Sequence, residues 1–372
     1  MKKILIFSIA YYPLVGGAEV AIKEITDRIS DIHFDMITLR FNKSWPKFEK
    51  IGNVNVYRAK SGKLLFPFLG YLKAKKLQKE CHFDAIWSIM ASYSGFAALF
   101  FKFFNPEIPF LLTLQEGDSE EHILKRVGIF YPLWKKIFSK ADYIQTISNY
   151  LADFAKKYGA RVPIKVIPNG VDIEKFKSQT CPTARRVSDL KNKEEKILIT
   201  TSRLVKKNAV DDVIKALQYL PENIKFWIIG DGEENSNLKS QISNLKLQNR
   251  VKFFGYLPHE EMIKYLHAAD VFIRPSLSEG MGNSFIEAMA AGIPVIATPV
   301  GGIPDFLKDR ETGLFCEVRN PKSIAEKVKI YLENEELRRK IIKNAQEMVN
   351  RNYDWDLIAK DMREKVFGKI LS

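Results

Sequence analysis

Short apolar runs alternate with stretches of helical period along most of this chain. In the first half, the runs at 3–9, 34–39, 54–58, 84–89, 109–114, 142–147 and 164–168 read as strands. In the second half, strands are expected at 197–201, 225–229, 252–255, 271–274, 295–298 and 314–318. Such near-continuous apolar runs mark parallel strands buried on both faces, with helices as the crossovers. Helices are expected between most of the strands, among them 211–220, 259–268 and 321–350, the last in two pieces. The pattern predicts an α/β chain of two Rossmann-like, doubly wound parallel-sheet domains facing across a cleft. The polar stretch 175–195 has no hydrophobic period and interrupts the alternation, so the expected extents are 1–172 and 196–352, with 173–195 as linker. A final amphipathic segment within 353–372 is expected to cross back and pack on the N-terminal domain.

Composition narrows the class. Of 372 residues, 46% are hydrophobic and 27% charged, the balance of a folded protein. Cys81, Cys181 and Cys316 lie far apart and match no metal spacing, so they read as buried thiols of a reducing compartment. The first residues superficially resemble a signal peptide, but the apolar run is short, lacks a small-residue cleavage site and leads into a glycine turn. A first β-strand is the better reading. The longest apolar stretch, 95–114, is interrupted by Lys102, Asn105, Pro106, Glu107 and Pro109, so no membrane-spanning helix is expected. The expected location is cytoplasmic.

Charge is uneven. The formal net charge is +14, and residues 1–190 hold 29 Lys and Arg against 18 Asp and Glu, a net of +11. A basic half fits an anionic membrane surface or an anionic acceptor as well as it fits a generally basic proteome. No motif of the usual nucleic-acid binders is visible, and no nucleic-acid partner is expected. The segment 123–140 mixes Phe130, Tyr131 and Trp134 with Lys125, Arg126, Lys135 and Lys136. It reads as an interfacial segment at the inner face of the cell membrane or as a partly buried helix.

Three loops carry candidate chemistry. Behind the first strand, Gly16-Gly17-Ala18-Glu19 opens a helix whose N-terminal N–H groups favour an anion, although an ordinary turn would look the same. The dinucleotide pattern GxGxxG is missing, which argues against a nicotinamide oxidoreductase. Behind the first strand of the second half come Arg203, Lys206 and Lys207, cations suited to a diphosphate. Residues 275–298 read PSLSEGMGNSFIEAMAAGIPVIAT, a strand-loop-helix-strand unit in which Glu279 and Glu287 bracket a glycine loop. Ser284 stands three residues before Glu287 and fits a capping box, a structural duty for Glu287. Glu279 precedes the glycine turn and has no comparable structural duty by sequence. Asp354-Trp355-Asp356 matches a DxD metal motif but sits where Asp favours a helix start. His259 and His267 show no ligand spacing.

Gly16-Gly17-Ala18-Glu19, Pro168-Asn169-Gly170-Val171-Asp172, Arg203-Leu204-Val205 with its following lysines, and Glu279-x7-Glu287 resemble the retaining family 4 glycosyltransferases, glycosyltransferase group 1, of GT-B fold. The resemblance covers essentially the whole chain in order. It implies an acceptor-binding N-terminal domain and a C-terminal domain that binds the nucleotide sugar. The reaction it implies moves a hexose from a UDP- or GDP-sugar to a lipid-linked or cell-surface glycan, forming an α-bond. By the same resemblance Glu279, Arg203 and Lys207 are catalytic, and Gly16, Gly17, Met281, Gly282, Asn283 and Glu287 bind the donor. No cofactor and no essential metal are implied.

The chain departs from the family pattern twice. The family lysine position is Asn208 here, and Lys207, one residue earlier, is the favoured substitute. The strand 110–114 is followed by Gln115 where the family has a histidine. Either Gln115 takes a hydrogen-bonding role on the acceptor side or His122 folds back. Two other classes stay open by sequence, a GT-B sugar-nucleotide epimerase and a non-catalytic glycan- or nucleic-acid-binding protein. Product analysis without an acceptor separates the first, and salt-dependent DNA binding without turnover would mark the second.

Overall fold

The computed structural model describes residues 1–177, 192 and 194–372. These residues form two compact units, and most of the 173–195 segment lies outside the described residues. The first unit comprises Met1–Glu116, Glu120–Gly170 and Trp355–Ser372; the second comprises Gly117–Ser119 and Val171–Asp354.

The first unit is built on an eight-stranded sheet of β1 (Lys2–Phe7), β2 (Ile32–Leu39), β3 (Phe48–Ile51), β4 (Val54–Ala59), β5 (Ala85–Ile89), β6 (Phe110–Leu114), β7 (Tyr143–Thr146) and β8 (Ile164–Val166). Their order is β3-β4-β2-β1-β5-β6-β7-β8. Every pair is parallel except β3 with β4. The first strand is thus Lys2–Phe7, paired on both sides by β2 and β5. Central strands such as β5 and β6 are buried along their whole length, which is why they read as unbroken apolar runs. The β3 strand escapes the apolar pattern because FEKI is a partly exposed edge strand with two charges.

Six helices connect these strands: α1 (Gly17–Asp27), α2 (Phe66–Cys81), α3 (Tyr93–Phe104), α4 (Glu120–Val127), α5 (Tyr131–Lys140) and α6 (Asn149–Lys157). Both α2 and α5 pack on α3. In α5 the Trp134 side chain is buried and its indole N–H donates to the Ala91 carbonyl at 2.7 Å, so Trp134 belongs to the core and not to an interfacial face.

The second unit has a six-stranded parallel sheet of β9 (Lys196–Thr201), β10 (Ile224–Ile229), β11 (Val251–Gly255), β12 (Val271–Arg274), β13 (Val295–Ala297) and β14 (Leu314–Phe315), ordered β11-β10-β9-β12-β13-β14. Its helices are α7 (Ile173–Lys177), α8 (Val210–Ala216), α9 (Asn235–Asn244), α10 (His259–Ala268), α11 (Asn283–Ala290), α12 (Pro321–Glu333) and α13 (Glu335–Asn352). Cys316 is buried here, and burial pushes its thiol up to about 12, the behaviour of an inert core cysteine. Cys181 lies outside the described residues.

The chain ends with α14 (Trp355–Asp361), a π-helical turn at Met362–Phe367 and a last short turn. This segment buries Trp355, Ile358, Met362, Val366 and Phe367 in the first unit's core, with the Phe367 ring 5.2 Å from Trp87 and 5.8 Å from Phe34. Two ion pairs hold its flanks. Arg363 grips Asp31, and Arg28 Nε donates to Asp356 at 2.7 Å. The second Asp of the DxD pattern is therefore an ion-pair partner at a helix start.

Candidate active site

Each sheet reverses its winding direction once, between β1 and β5 in the first unit and between β9 and β12 in the second. At such a point the two outgoing connections part to opposite sides and leave a crevice beyond the strand ends. In the second unit the connections that part are those carrying Arg203–Asn208 and Pro275–Gly282. They are tied together, since the Leu277 N–H donates to the Lys207 carbonyl at 2.7 Å. Asn208 is buried and donates to the Arg203 carbonyl at 2.7 Å, so it braces the loop from inside. Lys207, the neighbouring residue, sends its ammonium to the Gly117 carbonyl.

Arg274, the last residue of β12, organises the second loop. Its side chain is only 7% exposed. Nη2 donates to Glu279 Oε2 at 2.8 Å and Nη1 to Ser284 Oγ at 2.7 Å, while the guanidinium lies 4.2 Å from the centre of the Phe285 ring. Nε is buried with no hydrogen-bond partner among the described residues. Burial lowers the Arg274 pKa; the Glu279 and Glu287 charges oppose that, and nearby Arg203 adds to it. The fork thus fixes a carboxylate, Glu279, at the entrance to α11.

This geometry overturns two expectations about the acidic pair. Ser284 is not a cap: α11 begins at Asn283 behind Gly282, which has no side-chain cap, and Ser284 Oγ is engaged by Arg274. Glu279 has the structural duty that Glu287 was given, because it neutralises a buried guanidinium. Gly282 is required at its position. Its φ is +89°, and a Cβ there would lie 2.6 Å from both Arg274 Nη2 and Phe285. Met281 is buried, and Asn283 and Ser284 form the first turn of α11.

Glu287 points elsewhere, with Oε1 3.1 Å from His259 Nε2 at the start of α10. Hydrogen bonding to Glu287 raises the His259 pKa above its ordinary 6.5, while burial and Lys175 pull it down. The folded pKa exceeds the unfolded one, so this contribution to stability is complete below about pH 6.5 and fades as pH climbs through the folded value. His259→Gln should therefore lower the melting temperature at about pH 5.5 and match the wild type near pH 8.5. An equal penalty at both pH values would remove charge from the role of this pair.

Gly117 completes the second unit's cluster. Its carbonyl accepts from Lys207 Nζ at 2.5 Å and from Ser278 Oγ at 3.2 Å. Lys207 Nζ also lies 3.4 Å from Asp118 Oδ1. A Cβ on Gly117 would stand 2.8 Å from Lys207 Nζ and 3.3 Å from Glu279 Oε1. A cation, a carboxylate and the backbone N–H of Gly280 thus converge on one spot. Arg203 is exposed and close enough to Arg274 for the two charges to interact. A hollow of 280 Å³ lined by Leu204, Lys206, Asp211, Glu234 and Arg319 takes in none of Arg203, Lys207 or Glu279. Its charges neutralise one another, as Arg319 pairs with Asp211 and Asp212.

In the first unit, Gly16 caps α1 without a side-chain bond, and Gly16 and Gly17 are exposed. Gln115 follows β6, and its Oε1 accepts from the buried Asn169 Nδ2 at 3.2 Å. His122 is exposed on α4. Glu116, beside Gln115, is buried and accepts from the N–H of Ala91 at 2.6 Å and of Gln115 at 3.0 Å. Burial raises its pKa to about 7 in spite of these bonds. Sequence reasoning passed over Arg274, Glu116 and Gly117, and gave His259 no partner. Only Arg274 left a signal, a charge ending an otherwise apolar strand.

Among the described residues, no group of three or more His, Cys, Asp or Glu is placed to hold a metal ion, and no helix is long and apolar enough to cross a membrane. Two family profiles match the chain, Glycosyltransferase Family 4 over residues 15–175 and Glycosyl transferases group 1 over residues 183–348. An uncharacterised glycosyltransferase of Methanocaldococcus jannaschii is 26% identical over 100% of this chain and 99% of its own. The alpha-monoglucosyldiacylglycerol synthase of Streptococcus pneumoniae is 26% identical over 84% of this chain and 74% of its own. The crystal structure of Anabaena HepE in complex with UDP and glucose superposes with a TM-score of 0.83 at 22% identity, over 99% of this chain and 100% of that one.

Proposed function

The chain belongs to the group 1, family 4 glycosyltransferases and has their GT-B fold, and from that premise we propose that it moves a hexose from a nucleoside-diphosphate sugar to a lipid-linked or cell-surface glycan, with retention of the α-configuration. The observation that carries this reading is the carboxylate of Glu279, locked by buried Arg274 beside Lys207 and the start of α11. A carboxylate there accepts hydrogen bonds from sugar hydroxyls, while the cations and helix N–H groups take up the diphosphate. HepE holds UDP and glucose, which favours a UDP-hexose as donor. The similarity to an alpha-monoglucosyldiacylglycerol synthase favours a lipid-linked acceptor.

In the proposed reaction the bond between the anomeric carbon and the β-phosphate oxygen breaks. The electron pair leaves with the diphosphate, and positive charge spreads over the anomeric carbon and the ring oxygen. Arg203, Lys207 and the N–H groups of Asn283 and Ser284 stabilise the departing diphosphate, so an essential metal has no task to perform. Glu279 orients the sugar hydroxyls, and Glu287 takes the ribose hydroxyls once it turns from His259. The departing phosphate oxygen accepts the proton of the acceptor hydroxyl, whose oxygen bonds to the anomeric carbon on the same face. In the first unit, Gly16 and Gly17 open α1 with an exposed helix start of the kind that favours an anion.

A thermal-shift screen of UDP-, GDP- and ADP-sugars tests the donor. A ligand that binds only the native state at 100 times its dissociation constant adds about 2.7 kcal/mol. UDP-glucose is expected to raise the melting temperature, and no shift with any nucleotide sugar would reject the reading. Nuclear magnetic resonance of the product is expected to show an α-linkage formed at an undiminished rate in chelator. A β-product would reject retention.

A further inference from the structure

The first unit exposes an apolar ridge that the sugar-transfer site leaves unused. Between α4 and α5 the chain makes a short 3-10 turn at Gly128–Phe130, opened by Gly128 at φ +50°. This turn lifts Ile129 out of the fold to 89% exposure and Phe130 to 58%, with Tyr131 exposed beside them. A second apolar tip stands at the start of α2, where Leu64, Leu65 and Phe68 are 79%, 61% and 57% exposed. The helices that follow the two tips, α2 and α5, both pack on α3.

The surrounding charge is mostly positive, with Glu80, which pairs with Lys76, and Glu120 and Glu121 at the start of α4 as the acidic neighbours. Residues 60–79 and 122–140 together contain eleven lysines and arginines and no Asp or Glu. Lys63, Lys75, Lys76, Lys125, Lys135 and Lys136 are exposed. Nucleic acid would use the cations and leave the apolar tips in water. An anionic bilayer uses both, since apolar side chains enter the boundary between headgroups and acyl chains while lysines meet the phosphates.

We propose that the tips Leu64–Phe68 and Ile129–Tyr131 dock the first unit onto an anionic phospholipid bilayer. The purpose of this docking rests on the lipid-linked acceptor proposed above. The docking itself needs no sugar chemistry.

Co-sedimentation of the full chain with phosphatidylglycerol–phosphatidylcholine vesicles tests it. Binding is expected to the mixed vesicles, to weaken as salt rises and to be slight on pure phosphatidylcholine. The Ile129→Glu/Phe130→Glu double variant alters only exposed side chains and should fold normally. It is expected to bind about tenfold more weakly or worse, as should Lys135→Glu/Lys136→Glu. No wild-type sedimentation with mixed vesicles, or wild-type binding by both variants, would overturn the assignment. So would a dimer in solution that the same substitutions dissociate, because the face would then belong to a second copy. The thermal shift with UDP-glucose is read in parallel. A shift without vesicle binding rejects the docking alone, and vesicle binding without a shift rejects the transfer reading alone.

Discussion

Glu279→Gln is expected to slow sugar transfer by about two to three orders of magnitude while the protein remains folded. The amide keeps the shape of the side chain and still offers an oxygen to Arg274 Nη2, so the buried guanidinium retains a partner. What disappears is the negative charge that would hold the donor's hydroxyls in register with the departing diphosphate. Glu279→Ala is the blunter change. It strands a guanidinium whose side chain is 7% exposed, and breaking a buried pair in that way costs about 3–5 kcal/mol. An inactive alanine variant would mix unfolding with chemistry, which is why the glutamine variant is the test. Its turnover at saturating donor is compared with its melting temperature. A folded glutamine variant with wild-type turnover would remove Glu279 from the proposed mechanism.

Arg274→Ala is expected to be the most damaging single change in the second unit. It leaves the Glu279 carboxylate without its fork, empties the space against Phe285 and frees the Ser284 hydroxyl. A loss of about 3–5 kcal/mol follows, roughly a 10 °C fall in melting temperature for a unit of this size. Arg274→Lys separates structure from positioning. It keeps one positive charge but lacks the planar fork that holds Glu279 and Ser284 together. It should lower kcat by at least about tenfold with little change in KM for the donor, since Glu279 stays present but loses its orientation. Equal kcat in a folded lysine variant would make Arg274 a structural residue only. In a double-mutant cycle, Arg274→Ala and Glu279→Ala should be strongly non-additive, because either one already breaks the same pair.

Much of this molecule was legible from the chain because its strands are central ones. A run such as Val271–Arg274 is buried on both faces, and burial on both faces leaves no alternation to misread. The edge strand Phe48–Ile51 was not legible, because half-exposed residues at a sheet margin carry no such run. The glycine loop at 279–282 was legible for a related reason: a left-handed turn against a guanidinium admits almost nothing but glycine. The duties of the two glutamates were not. The spacing of Ser284 and Glu287 fits a cap perfectly well, but the helix starts two residues too early for Ser284 to serve as one. Nothing in the local sequence says that Glu279 Oε2 will meet the end of the preceding strand.

By itself, then, the sequence determined the two α/β sheets, the loops that bear the candidate chemistry and the family to which the chain belongs. Those features depend on local periodicity and on conformations that few residue types can adopt. Only the tertiary structure decided that Arg274 holds Glu279, that His259 holds Glu287 and that Gly117 lies against Lys207. Each of these pairs joins residues from different strands, helices or loops. Arg274 meets Glu279 through the path of the loop that follows its own strand, whereas His259 and Glu287, 28 residues apart, and Gly117 and Lys207, 90 residues apart, are brought together only by the folding of the chain.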